Sequence, residues 1–198
     1  MTLYGQIECN DFLNSGKSKI RFLNYTVSSL PPPKYGNRKT ILAIVSPEFL
    51  AYSEYKNTLE LSFIYTFYGL NIDKFKKISF GPFQMQLEFI DQYLKLMDKG
   101  NFSDSLLKNY KKTDFGILID KLQTLNQIDF QWEILKTFFE YNMIRMPKNF
   151  SDFEKLIVLI RIYNSGTTEP KKTKQIFSKI GCKNLSYEEW CFEILKWH

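Results

Sequence analysis

The segment KKISFGPFQMQ, Lys76 to Gln86, sets a Gly-Pro pair and two glutamines inside an otherwise apolar run. Gly81 accepts a positive φ at no steric cost and Pro82 fixes its own, so the pair demands a turn. The residues around it, ISF and FQM, have the short β-like pattern of a small hairpin or an extended loop. No other strand-like piece of comparable clarity occurs in the 198 residues, so the fold must be built from whatever surrounds this turn.

What surrounds it is helical. LEFIDQYLKLM (87–97) places Leu87, Ile90, Leu94 and Met97 at three- and four-residue steps, and Gly100 follows as a stop. Residues 114–123 and then QWEILKTFFEYNMIR (131–145) continue the pattern, and Pro147 with Ser151-Asp152 marks one helix ending and the next beginning. SDFEKLIVLIRIYNSG (151–166) opens with the capping arrangement Ser-x-x-Glu and ends at Gly166, and the last helix starts from Ser186. Upstream, RKTILAIV (38–45) and the run 49–70, with Leu59, Phe63 and Phe67 at helical spacing, read as two helices broken near Pro47. Residues 1–38, with Ser28-Ser29, Pro31-Pro32-Pro33 and Gly36-Asn37, read as an irregular N-terminal arm. The predicted class is mainly α, a single domain over 39–198 with a small β-like segment around 77–86.

Apolar residues make up 44% of the chain and aromatics 17%, ample material for a full-sized core. With 27 Lys and Arg against 21 Asp and Glu, the net charge of +6 favours anionic partners, although the basic residues are scattered along the chain and do not by themselves point to nucleic acid. Cys9, Cys182 and Cys191 form no CxxC pair and the single histidine is His198, which argues against a metal site or a Cys/His nucleophile. A Cys182–Cys191 disulfide and buried free thiols are both compatible with the spacing. No cofactor motif is present. The first twenty residues contain no apolar h-region, and no window approaches 18 uncharged apolar residues, so neither a signal peptide nor a membrane span is expected.

Three places have chemistry to offer. Glu48 closes ILAIVSPE (41–48) at the edge of an apolar segment, where desolvation would raise its pKa into the range of a general acid; alternatively, Ser46 as N-cap, Pro47 at the first position and Glu48 in the first turn would start a helix. The Gly81-Pro82 turn would aim Gln84 or Gln86 sideways, toward hydroxyl and N-acetyl groups of a substrate or toward the chain's own backbone. RIYNSGT (161–167) ends a helix, and Tyr163 either stays in the core or directs its hydroxyl into a cleft.

In order and content, AIVSPE (43–48), SFGPFQMQ (79–86) and IYNSG (162–166) resemble the motifs of the lysozyme-like superfamily, specifically lytic transglycosylases and goose-type lysozymes. The resemblance covers about residues 40 to 166. It departs from the usual pattern at Pro47 and Phe49 and at Pro82-Phe83, where the family usually has Leu-Met. It implies a lysozyme-like α-helical fold with a small β-like segment, and a peptidoglycan-cleaving activity on β-1,4 glycan bonds. Glu48 would donate the proton, Ser79, Gly81, Gln84, Gln86 and Asn164 would form or shape the sugar site, and Tyr163 would point its hydroxyl toward Glu48. No metal or cofactor is implied.

Glycoside cleavage ordinarily uses a second carboxylate, for which Glu54, Glu60 and Asp73 are near in sequence and Glu60 is the preferred candidate. A continuous helix would hold Glu60 roughly 18 Å from Glu48 along its axis, so only a break near Pro47 would bring them together. Tyr52, Phe80 and Phe83 are candidates for stacking on sugar faces or for ordinary core filling. The expected partner is the glycan strand of peptidoglycan, with no nucleic acid. The expected site of action is periplasmic or extracellular, reached by a delivery or assembly partner or after loss of a leader. The alternative is a non-catalytic scaffold of the same shape that binds glycan or joins an assembly.

Overall fold

In the computed structural model, the described residues are 3–34, 36–51, 59, 61–62, 64, 66, 78–97, 122–165, 177–178 and 185–196; side chains are described from residue 14 on and, within these ranges, not for residues 51, 122, 165, 177–178, 185–188 and 190. Among them are seven helices: α1 (Leu3–Ser28), α2 (Arg38–Ala51), α3 (Leu87–Leu94), α4 (Leu122–Leu125), α5 (Ile128–Arg145), α6 (Asp152–Ser165) and α7 (Tyr187–Leu195). Four two-residue strands form two antiparallel pairs, β1 (Ser79–Phe80) with β2 (Met85–Gln86) and β3 (Phe177–Ser178) with β4 (Leu185–Ser186). The mainly helical class is therefore as predicted. The division of the chain does not fall at residue 38: one compact unit comprises Met1–Ala51 and Asn142–His198, the other Tyr52–Tyr141.

The first unit is built around α2. Every residue from Ile41 to Pro47 is buried, and seven consecutive residues cover all sides of a helix, so α2 has no solvent face over this stretch. It packs against α1, α6 and α7, and α6 also packs on α7. Asn37 caps the start, its Oδ1 accepting from the Thr40 amide at 2.9 Å and the Thr40 hydroxyl at 3.0 Å. Pro47 lies inside the helix, a correction to the break predicted there. A proline in a helix interior costs about 3 kcal/mol. Burial of Ile41, Leu42, Ala43, Ile44 and Val45 to 1% exposure or less offsets that cost. Ser46 is accordingly no N-cap; its hydroxyl donates backwards to the Leu42 carbonyl at 2.5 Å.

The irregular arm expected over 1–38 is also corrected, since residues 3–28 are helical. Gly16, Ile20, Leu23 and Val27 are buried at steps of four, three and four residues, a helical stripe diluted by the serines, lysines and asparagines between them. The Pro31-Pro32-Pro33 connector is non-helical, Gly36 turns it at φ 71°, and the Arg38 guanidinium ties it down by donating to the Leu30 carbonyl. The Ser151 capping box forms as predicted, with the Ser151 amide and hydroxyl donating to Glu154 at 2.8 and 2.7 Å and the Glu154 amide donating to the Ser151 hydroxyl at 3.3 Å.

The second unit centres on α5, which begins three residues before the predicted start. Phe130, Trp132, Ile134, Leu135, Phe138 and Phe139 are buried along it. Against it stands α3: Phe138 meets Phe89 at 5.5 Å and Tyr93 edge-on at 5.4 Å between ring centroids. Gln131, fully buried among these aromatics, spends its amide on the hairpin. Its Oε1 accepts from the Phe83 amide at 3.1 Å, and its Nε2 donates to the carbonyls of Phe80 and Leu125, both at 3.1 Å. Gly81, at φ 76°, leaves the space this amide needs, because a Cβ there would lie 2.0 Å from Gln131 Nε2.

Gly81→Ala is therefore expected to destabilise the protein by about 2 kcal/mol or more, through the left-handed φ and the displaced amide. In Gly81→Ala/Gln131→Ala the clash is absent, so the loss should fall short of the sum of the single losses. Urea unfolding of the four proteins measures this, and strict additivity would contradict the contact.

Candidate active site

Glu48 stands in the last turn of α2, half-buried, one turn beyond Ile44. The enclosed segment before it fixes the direction in which it leaves the helix. This overturns the reading of Ser46-Pro47-Glu48 as a helix start, because Glu48 is at the other end. From α7, Cys191 packs beside the same turn of α2: it is a buried free thiol whose Sγ lies 3.7 Å from the Ile44 carbonyl oxygen.

Tyr163 comes to this place from the last turn of α6, followed by the half-buried Asn164. Its phenol is held well above its ordinary value of 10.0. Burial of the hydroxyl is the largest cause, followed by the electrostatic influence of Glu48 and then of Cys191. The phenol is thus neutral throughout the neutral range and keeps its proton available for donation. Glu48 and Tyr163, far apart in the sequence, are brought within electrostatic reach by the packing of α2, α6 and α7. Gly166, beyond the end of α6, lies outside the described residues, as do Glu54, Glu60, Asp73, Tyr52 and Cys182. The helix is unbroken at Pro47, so that proline supplies no fold-back toward Glu60.

In the second unit, the hairpin sorts its residues by alternation. Gly81, Phe83, Met85 and Leu87 are buried, while Pro82, Gln84 and Gln86 are half-exposed. Ser79 is cross-strand partner of Gln86, so Ser79 and Gln86 meet on the ladder and Gln84 follows on the alternating outer side. Gln84 takes φ 50°, its amide N–H donates to the Gly81 carbonyl at 3.0 Å, and its side-chain Nε2 donates to the same oxygen at 2.9 Å. Gln86 precedes α3 in the cap position without making a side-chain cap bond. Phe80 and Phe83 have no exposed surface and fill the core, which removes them as sugar-stacking residues.

Gln131 escaped the sequence reading. Its signal was present: a glutamine between Phe130 and Trp132, in a helix that must be buried, needs partners for its amide. No group of three or more potential metal ligands occurs among the described residues, and no helix among them is long and apolar enough to cross a membrane. No family model, no curated protein and no solved structure matches this chain.

The raised phenol has a consequence for stability. Because the folded state holds the Tyr163 proton more tightly than the unfolded chain does, its contribution is complete below about pH 10 and is lost as pH rises through the folded value. Tyr163→Phe should lack this alkaline loss, so urea midpoints of wild type and variant, followed upward from pH 9 or so, should converge or cross above about pH 10. Parallel curves across that window would mean the phenol is not held in this way.

Proposed function

We propose that the protein is a peptidoglycan-cleaving glycosidase, a lytic transglycosylase or lysozyme-like muramidase, with Glu48 as general acid and base. The observation that carries this reading is the convergence of Glu48 and Tyr163, each at the end of its helix, in the packing of α2, α6 and α7. These are the two positions to which the sequence resemblance assigns the proton donor and the tyrosine beside it.

Protonated Glu48 donates to the glycosidic oxygen as the bond from that oxygen to the anomeric carbon breaks. The carboxylate left behind takes a proton from the attacking hydroxyl. If that hydroxyl belongs to the sugar itself the product is an anhydro sugar, and if it belongs to water the product is a reducing end. Neutral Tyr163 keeps a hydroxyl near the carboxyl in both protonation states and steadies the carboxylate when it forms. The resemblance assigns Ser79, Gln84 and Gln86, which belong to the second unit, to sugar substituents, and within that unit Gly81 keeps their turn seated on Gln131. Asn164 shapes the end of α6 next to Tyr163. Action on a wall would put the working site in the periplasm or outside the cell.

The non-catalytic reading, a glycan-binding or assembly scaffold, draws on the Gln84 amide, which is turned onto its own Gly81 carbonyl. Peptidoglycan sacculi incubated with wild type and Glu48→Gln, with soluble fragments identified by mass spectrometry, distinguish the two. Wild type is expected to release anhydro-muropeptides or reducing-end fragments, and Glu48→Gln to release them at least ~100-fold more slowly. No fragments from folded wild type would leave the scaffold reading.

A further inference from the structure

One long stretch of the chain carries cations without a single acid. Residues 12–47 contain six Lys and Arg and no Asp or Glu, while the rest of the chain carries 21 of each sign. In the fold this stretch is most of α1, the proline connector and α2 as far as Pro47. Its apolar parts are turned inward: Ile20, Leu23 and Val27 of α1 and Ile41–Val45 of α2 are buried. The cations are turned outward, and Lys17, Lys19, Arg21 and Lys39 are all exposed. Among the described residues none of these four is in an ion pair.

The same side of α1 exposes two aromatic rings, Phe22 at 63% and Tyr25 at 79%. At 3.6 residues per turn, Lys17 and Arg21 stack along one ridge of the helix, and Phe22 and Tyr25 lie one turn apart beside it, opposite the buried stripe. A large exposed aromatic costs solvation without contributing to the core, and two side by side next to unpaired cations fit a ligand with both anionic groups and flat apolar ring faces.

We propose that the outward face of α1 is a docking surface for the anionic glycan of the cell wall. Lys17 and Arg21 take the carboxylates of its peptide stems, and Phe22 and Tyr25 stack on its sugar rings. The choice of glycan rests on the reading of Glu48 and Tyr163 given above; the charge and ring pattern does not. A lipid surface fits less well, because a helix that lies in a membrane interface turns a continuous apolar stripe to the acyl chains, and α1 has committed its stripe to the protein interior.

The test is co-sedimentation of the full chain with purified peptidoglycan sacculi at low and high salt, comparing wild type with Lys17→Glu/Arg21→Glu and with Phe22→Ser/Tyr25→Ser. Each double variant is expected to weaken binding roughly tenfold or more. Salt should weaken wild type and leave the charge variant nearly unchanged. All these side chains are exposed, so unfolding midpoints should stay close to wild type, and fragment release from a short soluble glycan should be unaltered. Wild-type binding by both double variants would overturn the proposal. So would α1-dependent binding to single-stranded DNA or to anionic phosphatidylglycerol vesicles without binding to sacculi. If sacculi are bound through α1 but Glu48→Gln releases fragments as wild type does, the catalytic reading falls and the docking surface stands. If cleavage depends on Glu48 while binding ignores α1, the reverse holds.

Discussion

The enclosure of α2 is the constraint on which the first unit depends. A helix with apolar residues on all sides from Ile41 to Val45 cannot lie on a surface, so α1, α6 and α7 must surround it. Once they do, the residue that leaves the enclosed stretch, Glu48, has its position fixed by its neighbours. Tyr163 and Cys191 arrive at the same turn because their helices supply the walls. The electrostatic coupling of Glu48 to the Tyr163 phenol is thus a consequence of core packing and needs no dedicated loop.

The hairpin of the second unit rests on a different kind of interaction. Two residues per strand cannot hold a turn in place by ladder bonds alone, and here a single buried amide supplies what the strands lack. Gln131 engages the Phe83 amide and the Phe80 carbonyl from within α5 and reaches the Leu125 carbonyl with its second N–H. All three are backbone groups, so the one amide ties the hairpin to the helical frame at three points. The glycine of the Gly-Pro pair is accordingly required twice, for its positive φ and for the space that the amide occupies.

What could be read from the sequence was what local chemistry decides. The Ser151 cap, the α3 stripe, the turn at Gly81 and the final helix from Tyr187 all follow from patterns a few residues long. At two places such patterns mislead. Pro47 has the local signature of a break, but the buried run before it holds the helix through the proline. The helix α1 has the local signature of an arm because its stripe of Gly16, Ile20, Leu23 and Val27 is thin and polar residues crowd it. The proximity of Tyr163 to Glu48 entered only through a family resemblance, since nothing local in either segment requires it. Gln131 shows the opposite case, where burial of the helix was legible but the amide's hairpin partners Phe80 and Phe83 lie 51 and 48 residues away. The acid-free run of cations over 12–47 is legible too, but a total of +6 conceals it; only the sign of each residue along the chain shows it.

Local preference is overruled at two positions that bear on function. Pro47 occupies a helix interior, at about 3 kcal/mol, in the position directly before Glu48. Gln84 is the one non-glycine with positive φ among the described residues, and it lies in the turn that presents Gln84 and Gln86. Each is held by surroundings that over-determine it: the enclosed α2 in the first case, the Gln131 staple and the bonds to the Gly81 carbonyl in the second. An alanine at 47 would restore a backbone N–H for the Ala43 carbonyl and should strengthen the helix, and a glycine or asparagine at 84 would relax the turn. Departures from local preference that packing must hold in place tend to gather where a site needs a particular geometry. Their positions, one beside the carboxyl and one beside the amides, coincide with the residues singled out by their chemistry.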